Sequence, residues 1–304
     1  MAKPVIGLAL GSGGARGWCH IGVIRALAEL GIHPDVVAGC SMGALVGAAY
    51  AGGQLDALET WARDLTRRKF LTLIDVDLTS GGLVEGKAIA QLFAELGLPE
   101  KLEDLDIPFW AVASNLHTGR EVWLKSGSLA LAVRASASIP GVFSPMQIDG
   151  NWLVDGGITN PVPVSLVRAL GADLVIAVNP DAHRVGINWK PEPESDRRIS
   201  VRGVAQQISS RLPARLQGLS NLIAPSGQRN PSYVSVVMAA IEVMTEEIRR
   251  SRLAGDPPHV LLNARLNDLK VLELYRAAEA IEDGFRMVRQ QKDVLLATVS
   301  GASA

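Results

Sequence analysis

The tightest constraint on how this chain folds comes from a five-residue stretch, GCSMG, at Gly39–Gly43. It follows the apolar run DVVA and precedes the run ALVGAAYA, an order that predicts a strand, a sharp turn and a helix. The flanking glycines remove side chains that would clash in such a turn, so Ser41 can occupy a strained position above a sheet. This G-x-S-x-G elbow is typical of a nucleophilic serine. Cys40 occupies a position whose side chain points away from Ser41, and we assign it to packing.

Short apolar runs alternate with helix-like segments through the first 180 residues. Asp149–Gly150 lies between the triplets MQI and WLV, which predicts a β-hairpin. Alternating strands and helices favour an α/β fold of three layers, α/β/α, with a mainly parallel central sheet. Strands are predicted at residues 5–10, 35–38, 107–114, 121–124 and 173–178, and helices at 18–30 and 44–51.

The character of the sequence changes after residue 180. Prolines punctuate a polar region, and no acidic residue occurs from Arg197 to Ile241 although six arginines lie there. Further helices are predicted at residues 236–253 and 271–297, with a last strand at 259–262. We therefore predict a single domain over residues 1–304, made of a motif-bearing core (1–180), a basic amphipathic insert (181–235) and C-terminal helices packing on the core (236–300).

Composition excludes several classes of protein. A net charge of −1 argues against a nucleic-acid binder, which normally has a strong basic excess. Cys19 and Cys40 are the only cysteines, so neither a disulfide framework nor a four-cysteine metal site is predicted. No window holds the roughly 18 apolar residues of a membrane span. The expectation is a cytoplasmic protein that binds no nucleic acid.

The first predicted strand runs into a glycine loop, GSGGARG, at Gly11–Gly17. A dinucleotide fingerprint requires glycine where Arg16 stands, and a P-loop requires a Gly-Lys-Ser/Thr that does not follow. An oxyanion hole is the other interpretation, in which Gly13, Gly14 and Ala15 direct N–H groups at a developing negative charge. Taken alone, the loop is better explained as a tight turn.

A serine nucleophile needs a base, and two candidates remain open. His259 completes the Ser-Asp-His order of α/β-hydrolases, but that fold places its serine well into the sheet, whereas Ser41 follows the second predicted strand. Asp155 begins the turn Asp155–Gly157, DGG, that closes the strand WLV directly after the hairpin. Burial in a cleft would raise the proton affinity of such an aspartate.

These motifs, in this order, resemble the patatin-like phospholipases, especially their short bacterial branch related to the neuropathy target esterase domain. The segments ASASIPGVFSP at residues 135–145 and NPVP at 160–163 resemble the family's sequence on either side of its aspartate. The resemblance covers about residues 5–180, and the ordered set of motifs is specific. Beyond Val236 the helices and the final strand resemble that branch less sharply.

The resemblance implies a serine–aspartate dyad without histidine. Ser41 would attack an acyl ester and Asp155 would take its proton, first in acylation and again when water hydrolyses the acyl-enzyme. No metal or organic cofactor is implied. The implied oxyanion hole comprises Gly13, Gly14, Ala15 and Arg16, and the implied supporting residues are Gly39, Gly43, Gly156, Gly157 and Asn160.

The predicted function is therefore a serine lipid acyl hydrolase acting on phospholipid, lysophospholipid or another acyl ester. Apolar residues recur at helical spacing between Ile199 and Ile223, with arginines at other positions. This part of the insert is either a surface helix pair or a lid that contacts anionic membrane at its inner face. Two alternatives remain: a histidine-dependent esterase using His259, and a non-catalytic lipid-binding regulatory module.

Overall fold

One mixed sheet of eight strands organises the computed structural model, which describes residues 3–69, 87–182 and 233–302. Hydrogen-bonded pairing connects the strands in the sequence β5-β6-β3-β2-β1-β7-β8, and β4 also pairs with β3. Their bounds are β1 Ile6–Leu10, β2 Val36–Cys40, β3 Phe109–Asn115, β4 Glu121–Leu124, β5 Met146–Ile148, β6 Asn151–Asp155, β7 Leu174–Asn179 and β8 Val260–Asn263.

The sheet is parallel through its centre and antiparallel at one side. β1 pairs in parallel with β2 and β7, β2 with β3, and β7 with β8. β4 and β6 run antiparallel to β3, and β5 and β6 form the hairpin predicted at Asp149–Gly150. The mainly parallel α/β sheet predicted from the alternation of strands and helices is confirmed.

Helices cover both faces of this sheet. In the described residues they are α1 Cys19–Glu29, α2 Met42–Ala51, α3 Leu55–Arg63, α4 Lys87–Glu95, α5 Leu129–Ser136, α6 Val164–Ala169, α7 Tyr233–Gly255, α8 Ala277–Gln290 and α9 Lys292–Ala302. Within the described ranges, each helix is too short or too polar to cross a lipid bilayer.

Side-chain alternation along the strands produces the layers. In β1, Ile6, Leu8 and Leu10 join the larger apolar cluster, whereas Ala9 joins the smaller one. Residues of α1 to α5, α8 and α9 contribute to the larger cluster, and α6 packs on the opposite face. Successive strand side chains point to opposite faces, and both faces are covered, so β1, β2 and β7 are buried along their whole length.

Two strands end against each other on one edge of β3. Cys40, the last residue of β2, pairs with Val112, and Asp155, the last residue of β6, pairs with Ala113. β4 pairs with Val112 and Ala113 along one edge of β3. β2 and β6 must therefore both lie along the opposite edge of β3. Since β2 is parallel and β6 antiparallel to β3, their carboxyl ends meet, and Ser41 comes next to Asp155.

The α-helix predicted at residues 271–297 is wrong over its first six residues, which form a turn and the short 3-10 helix Leu274–Arg276 before α8 begins, and the remainder is divided into α8 and α9. The carbonyl oxygen of Val271 accepts a hydrogen bond from the Ala15 N–H at 2.8 Å. That of Leu274 accepts one from the Trp18 indole at 3.0 Å. These carbonyls bind the glycine loop instead of continuing a helix.

Contacts between Cα atoms divide the chain into two units, one of Met1–Val185 with Met244–Ala304 and one of Gly186–Val243. Apart from its ends, the basic insert predicted at residues 181–235 lies outside the described residues. The lid and its membrane contact therefore remain predictions.

The close approach of α1 and α8 generates a stability prediction. A Cβ atom added at Gly22 would lie 2.9 Å from the backbone nitrogen of Phe285 and from the carbonyl carbon of Ile281. We expect Gly22→Ala to lower the free energy of unfolding by about 1–3 kcal/mol, because neither backbone can yield without separating the helices. Chemical denaturation measures this change.

Gly301→Ala is the matched control, because Gly301 lies in helix α9 with nothing within 4 Å of its added Cβ. This variant should be as stable as the wild type or more stable by up to about 1 kcal/mol, from helix propensity. Equal effects of the two substitutions would contradict the packing explanation.

Candidate active site

Ser41 occupies the turn between β2 and α2 in a backbone conformation that is rare for a residue with a side chain. Its φ is 56° and its ψ −119°. Such a conformation costs of the order of 1–3 kcal/mol and persists only where the surroundings enforce it. The residue is 3% exposed. The predicted elbow is therefore present, and it presents the Ser41 side chain at the carboxyl end of the sheet.

The two elbow glycines are required by close backbone approach. A Cβ atom added at Gly39 would lie 2.6 Å from the backbone nitrogen of Ala44. One added at Gly43 would lie 2.6 Å from the carbonyl carbon of Leu10 and 2.7 Å from the carbonyl oxygen of Gly11. A side chain at Gly39 would separate α2 from β2, and one at Gly43 would separate α2 from β1, so both glycines support the turn sterically.

Cys40 packs as expected beneath the elbow. It is fully buried in the smaller apolar cluster. Burial, followed by the nearby Asp155 charge, raises the pKa of the Cys40 thiol well above its usual range. Because only the thiolate is a strong nucleophile, Cys40 does not compete with Ser41.

Asp155 lies directly against the serine. Its Oδ2 accepts a hydrogen bond from Ser41 Oγ at 2.5 Å, and its Oδ1 accepts one from the Gly157 N–H at 2.7 Å. Its own N–H donates to the Ser138 carbonyl at 2.9 Å. The carboxylate is thus held through both of its oxygens and the residue through its backbone, with Oδ2 directed at the serine hydroxyl.

The electrostatic environment makes Asp155 a stronger base than an exposed aspartate. Burial raises its pKa from 3.8 to about 6, although the hydrogen bonds from Ser41 and Gly157 lower it, and the negative charge of Asp181 raises it further. A general base is most effective when its pKa approaches the working pH.

The residues after Asp155 hold the turn. A Cβ atom at Gly156 would lie 2.8 Å from the carbonyl carbon of Val112, and one at Gly157 would lie 2.9 Å from Asp155 Oδ1. The Asn160 N–H donates to the Gly156 carbonyl at 2.8 Å.

The Asn160 side chain is directed away from the carboxylate. Its amide donates to Glu121 Oε2 at 2.7 Å and to Ser165 Oγ at 3.0 Å. Asn160 therefore supports the turn through its backbone and anchors it to β4 and α6 through its side chain.

The glycine loop lies beside both the elbow and the aspartate turn. Gly11 comes close to Gly43, and a Cβ atom at Gly157 would lie 3.1 Å from Ser12 Oγ. The three motifs, which are far apart in the sequence, are therefore neighbours at one end of the sheet.

The predicted set of oxyanion donors, Gly13, Gly14 and Ala15, needs a correction at Ala15, and Arg16 contributes no backbone donor to the implied hole. The Ala15 N–H donates to the Val271 carbonyl at 2.8 Å and the Arg16 N–H to the Gly13 carbonyl at 3.2 Å, so neither is available. No described residue accepts a hydrogen bond from the N–H of Gly13 or Gly14. These two remain the candidates.

The Arg16 side chain braces the loop from within. It is buried, and its Nε lies 2.6 Å from Asp181 Oδ1 and 3.3 Å from the Gly13 carbonyl oxygen. Arg249 of α7 donates to the Asp181 carbonyl at 3.1 Å. Asp181 and Arg249 were not predicted, because the sequence contains no local pattern that connects them with the loop.

The candidate histidine, His259, does not contact the serine. His259 precedes the amino end of β8, and its Nδ1 accepts the Val175 N–H at 2.9 Å. Ser41 follows the carboxyl end of β2, which is parallel to β8 through β1 and β7, so the two residues lie at opposite ends of the parallel strands. His20 is buried with its Nε2 2.8 Å from the Gly11 carbonyl oxygen, and burial lowers its pKa to about 4.

Two serines that support the site were not predicted. Ser136 Oγ accepts the Ser41 N–H at 2.9 Å, and Ser114 Oγ donates to the Asp155 carbonyl at 2.9 Å. Ser136 belongs to the segment ASASIPG, to which no residue role was assigned, and α5, which ends there, was not predicted. In the described ranges, no three His, Cys, Asp or Glu side chains are grouped as a metal ion would require.

The family model described as patatin-like phospholipase matches residues 8–168. An uncharacterized NTE family protein of Mycobacterium tuberculosis (strain ATCC 25618 / H37Rv) is 33% identical over 329 residues, covering 95% of this chain and 91% of the relative. Human patatin-like phospholipase domain-containing protein 6 is 35% identical over 182 residues, covering 57% of this chain and 13% of the relative. Human GIVD cytosolic phospholipase A2 has a TM-score of 0.48 at 13% identity, covering 99% of this chain and 60% of that chain.

The raised pKa of Asp155 generates a prediction about stability. Between pH 3.8 and about 6 the folded protein retains a proton that the unfolded chain has released. Its contribution to stability is therefore complete below pH 3.8 and is lost as the pH rises through about 6. We expect Asp155→Asn to be more stable than the wild type at pH 7.5, by up to about 3 kcal/mol.

This advantage should shrink below pH 4, which denaturant titrations at both pH values measure. Asp149→Asn is the matched control, because it removes an exposed charge from the hairpin turn and should leave stability at pH 7.5 nearly unchanged. An Asp155→Asn protein that is less stable than the wild type at pH 7.5 would contradict the assignment of a destabilising buried carboxylate.

Proposed function

This chain belongs to the patatin-like phospholipase family, and on that premise we propose that it is a serine lipid acyl hydrolase with a Ser41–Asp155 dyad. The family and the patatin fold point to lipid hydrolysis in general. The observation that carries the finer proposal is the buried hydrogen bond of 2.5 Å between Ser41 Oγ and Asp155 Oδ2. It provides a nucleophile and a base in direct contact.

Acylation begins when Ser41 Oγ attacks the ester carbonyl carbon and its proton passes to Asp155 Oδ2. The carbonyl oxygen becomes negatively charged, and the free N–H groups of Gly13 and Gly14 are the donors that we propose to receive it. The tetrahedral intermediate then expels the alcohol, which takes the proton from Asp155. The products of this half-reaction are a free alcohol and an acyl ester of Ser41.

Deacylation repeats these steps with water. Asp155 removes a proton as the water oxygen attacks the acyl carbon, and the proton returns to Ser41 Oγ as the carboxylic acid leaves. One carboxylate therefore serves both half-reactions, and no histidine takes part.

We propose phospholipids, lysophospholipids or other carboxyl esters as the substrates. The basic composition of the insert supports peripheral contact with an anionic membrane, because each arginine near such a surface contributes about 1 kcal/mol. Both cysteines are free thiols, which suits a cytoplasmic protein acting at the inner membrane face.

Covalent labelling tests the dyad. The wild type should react with a fluorophosphonate probe and hydrolyse a short acyl ester, whereas Ser41→Ala should do neither. Asp155→Asn should lose hydrolysis by about 10²–10⁴-fold, the usual contribution of a general base. His259→Ala should behave as the wild type, because His259 lies at the amino end of the parallel strands and Ser41 at their carboxyl end.

Melting temperatures of all four proteins provide the control for folding. An unlabelled wild type, or a His259→Ala protein without activity, would contradict the proposal.

The pH dependence of hydrolysis tests the base separately. Asp155 must be ionised to accept the proton, and its pKa is about 6. We expect kcat/KM to rise with pH through about 6 and to level off above it, since kcat/KM reports ionisations of the free enzyme. A profile that is flat from about two pH units below this pKa to about two units above it would exclude Asp155 as the titrating base.

A further inference from the structure

The backbone N–H of Ser41 is paired by neither of the elements that flank it. The pairing of β2 with β3 ends at Cys40 and Val112, and α2 begins at Met42. The Ser136 hydroxyl accepts this N–H at 2.9 Å, and both serines are buried. Because a buried N–H without an acceptor is costly, this bond holds the peptide in the elbow.

The orientation of that peptide determines where the Ser41 side chain points. In the described part of the chain, Ser136 makes the one side-chain hydrogen bond to the backbone of Gly39–Gly43. The glycines permit the left-handed φ of 56°, but they do not select it. With the Ser41 nitrogen fixed, the Cα–Cβ bond directs Oγ onto Asp155 Oδ2 at 2.5 Å.

Ser136 is itself held rigidly. It is the last residue of α5 and is 0% exposed. Two residues later, the Ser138 carbonyl accepts the Asp155 N–H at 2.9 Å, and Ser138 Oγ accepts a hydrogen bond of 2.5 Å from Arg134. The carboxyl end of α5 therefore contacts the backbones of both dyad residues.

We propose that Ser136 is a positioning residue for the nucleophile, whose hydroxyl keeps Ser41 Oγ on Asp155 during acyl transfer. This inference rests on the proposed function. Ser136 touches neither the substrate nor the reacting atoms, so its loss should lower kcat and leave KM unchanged. A displacement of reacting groups by about 1 Å is sufficient to cost about 100-fold in rate.

The experiment compares Ser136→Ala and Ser136→Cys with the wild type in the full chain. Cysteine fills nearly the same space but is a weak acceptor, so both variants remove the hydrogen bond and only one removes the volume. We expect kcat for ester hydrolysis, and the limiting rate of fluorophosphonate labelling, to fall about 10–100-fold in both.

Ser128→Ala is the matched control. Ser128 Oγ accepts the Leu131 N–H at 3.4 Å at the other end of α5, about 12 Å away along the helix axis. Ser128→Ala therefore also removes a serine hydroxyl from α5, but at the end remote from Ser41, and kcat should remain that of the wild type. Melting temperatures identify any variant that does not fold, and if Ser136→Ala is such a variant, Ser136→Cys decides.

The outcomes separate this inference from the function on which it rests. If the wild type hydrolyses ester and Ser41→Ala does not, but both Ser136 variants match Ser128→Ala in kcat, the inference is overturned and the function stands. A rise in KM at unchanged kcat also overturns it. A wild type that neither labels nor hydrolyses overturns the proposed function and this inference together.

Discussion

The buried hydrogen bond between Ser41 and Asp155 depends on two strands ending against the same edge of β3. Because the carboxyl ends of β2 and β6 meet there, an aspartate with its short side chain reaches the serine without an intervening residue. The contact is thus set by the register of the sheet. A slip of one residue in β6 would turn Asp155 to the other face and bring Val154 to its position.

The same geometry connects the base electrostatically with the glycine loop. Asp181 follows β7 and pairs with Arg16 of the loop and with Arg249 of α7. Its negative charge also raises the pKa of Asp155. The Asp181 carboxylate therefore holds the loop that carries the proposed oxyanion donors, and it also increases the basicity of the Asp155 carboxylate. The loop and the dyad are thus coupled electrostatically through Asp181.

Sequence reasoning was most successful where the chemistry leaves a local pattern. A strained turn needs adjacent glycines, and an acidic turn that closes a strand is visible in a few residues, so Ser41 and Asp155 were predicted. The engagement of the Ala15 N–H was not predictable, because its acceptor, Val271, lies in a distant segment that resembles a helix. Ser136 was missed for a related reason, since a hydroxyl that accepts a distant N–H has no characteristic neighbours.

The supports of the glycine loop extend beyond the segment that the family model matches, residues 8–168. Gly11 N–H donates to the Val178 carbonyl, and the Trp18 indole donates to that of Leu274. A homologue that diverged or lost its sequence after that segment would keep every signature residue while its loop lacked these acceptors. The signature motifs therefore show family membership but do not ensure that the glycine loop is supported. In a homologue without activity, we expect the distant carbonyl acceptors to be lost while the motifs remain.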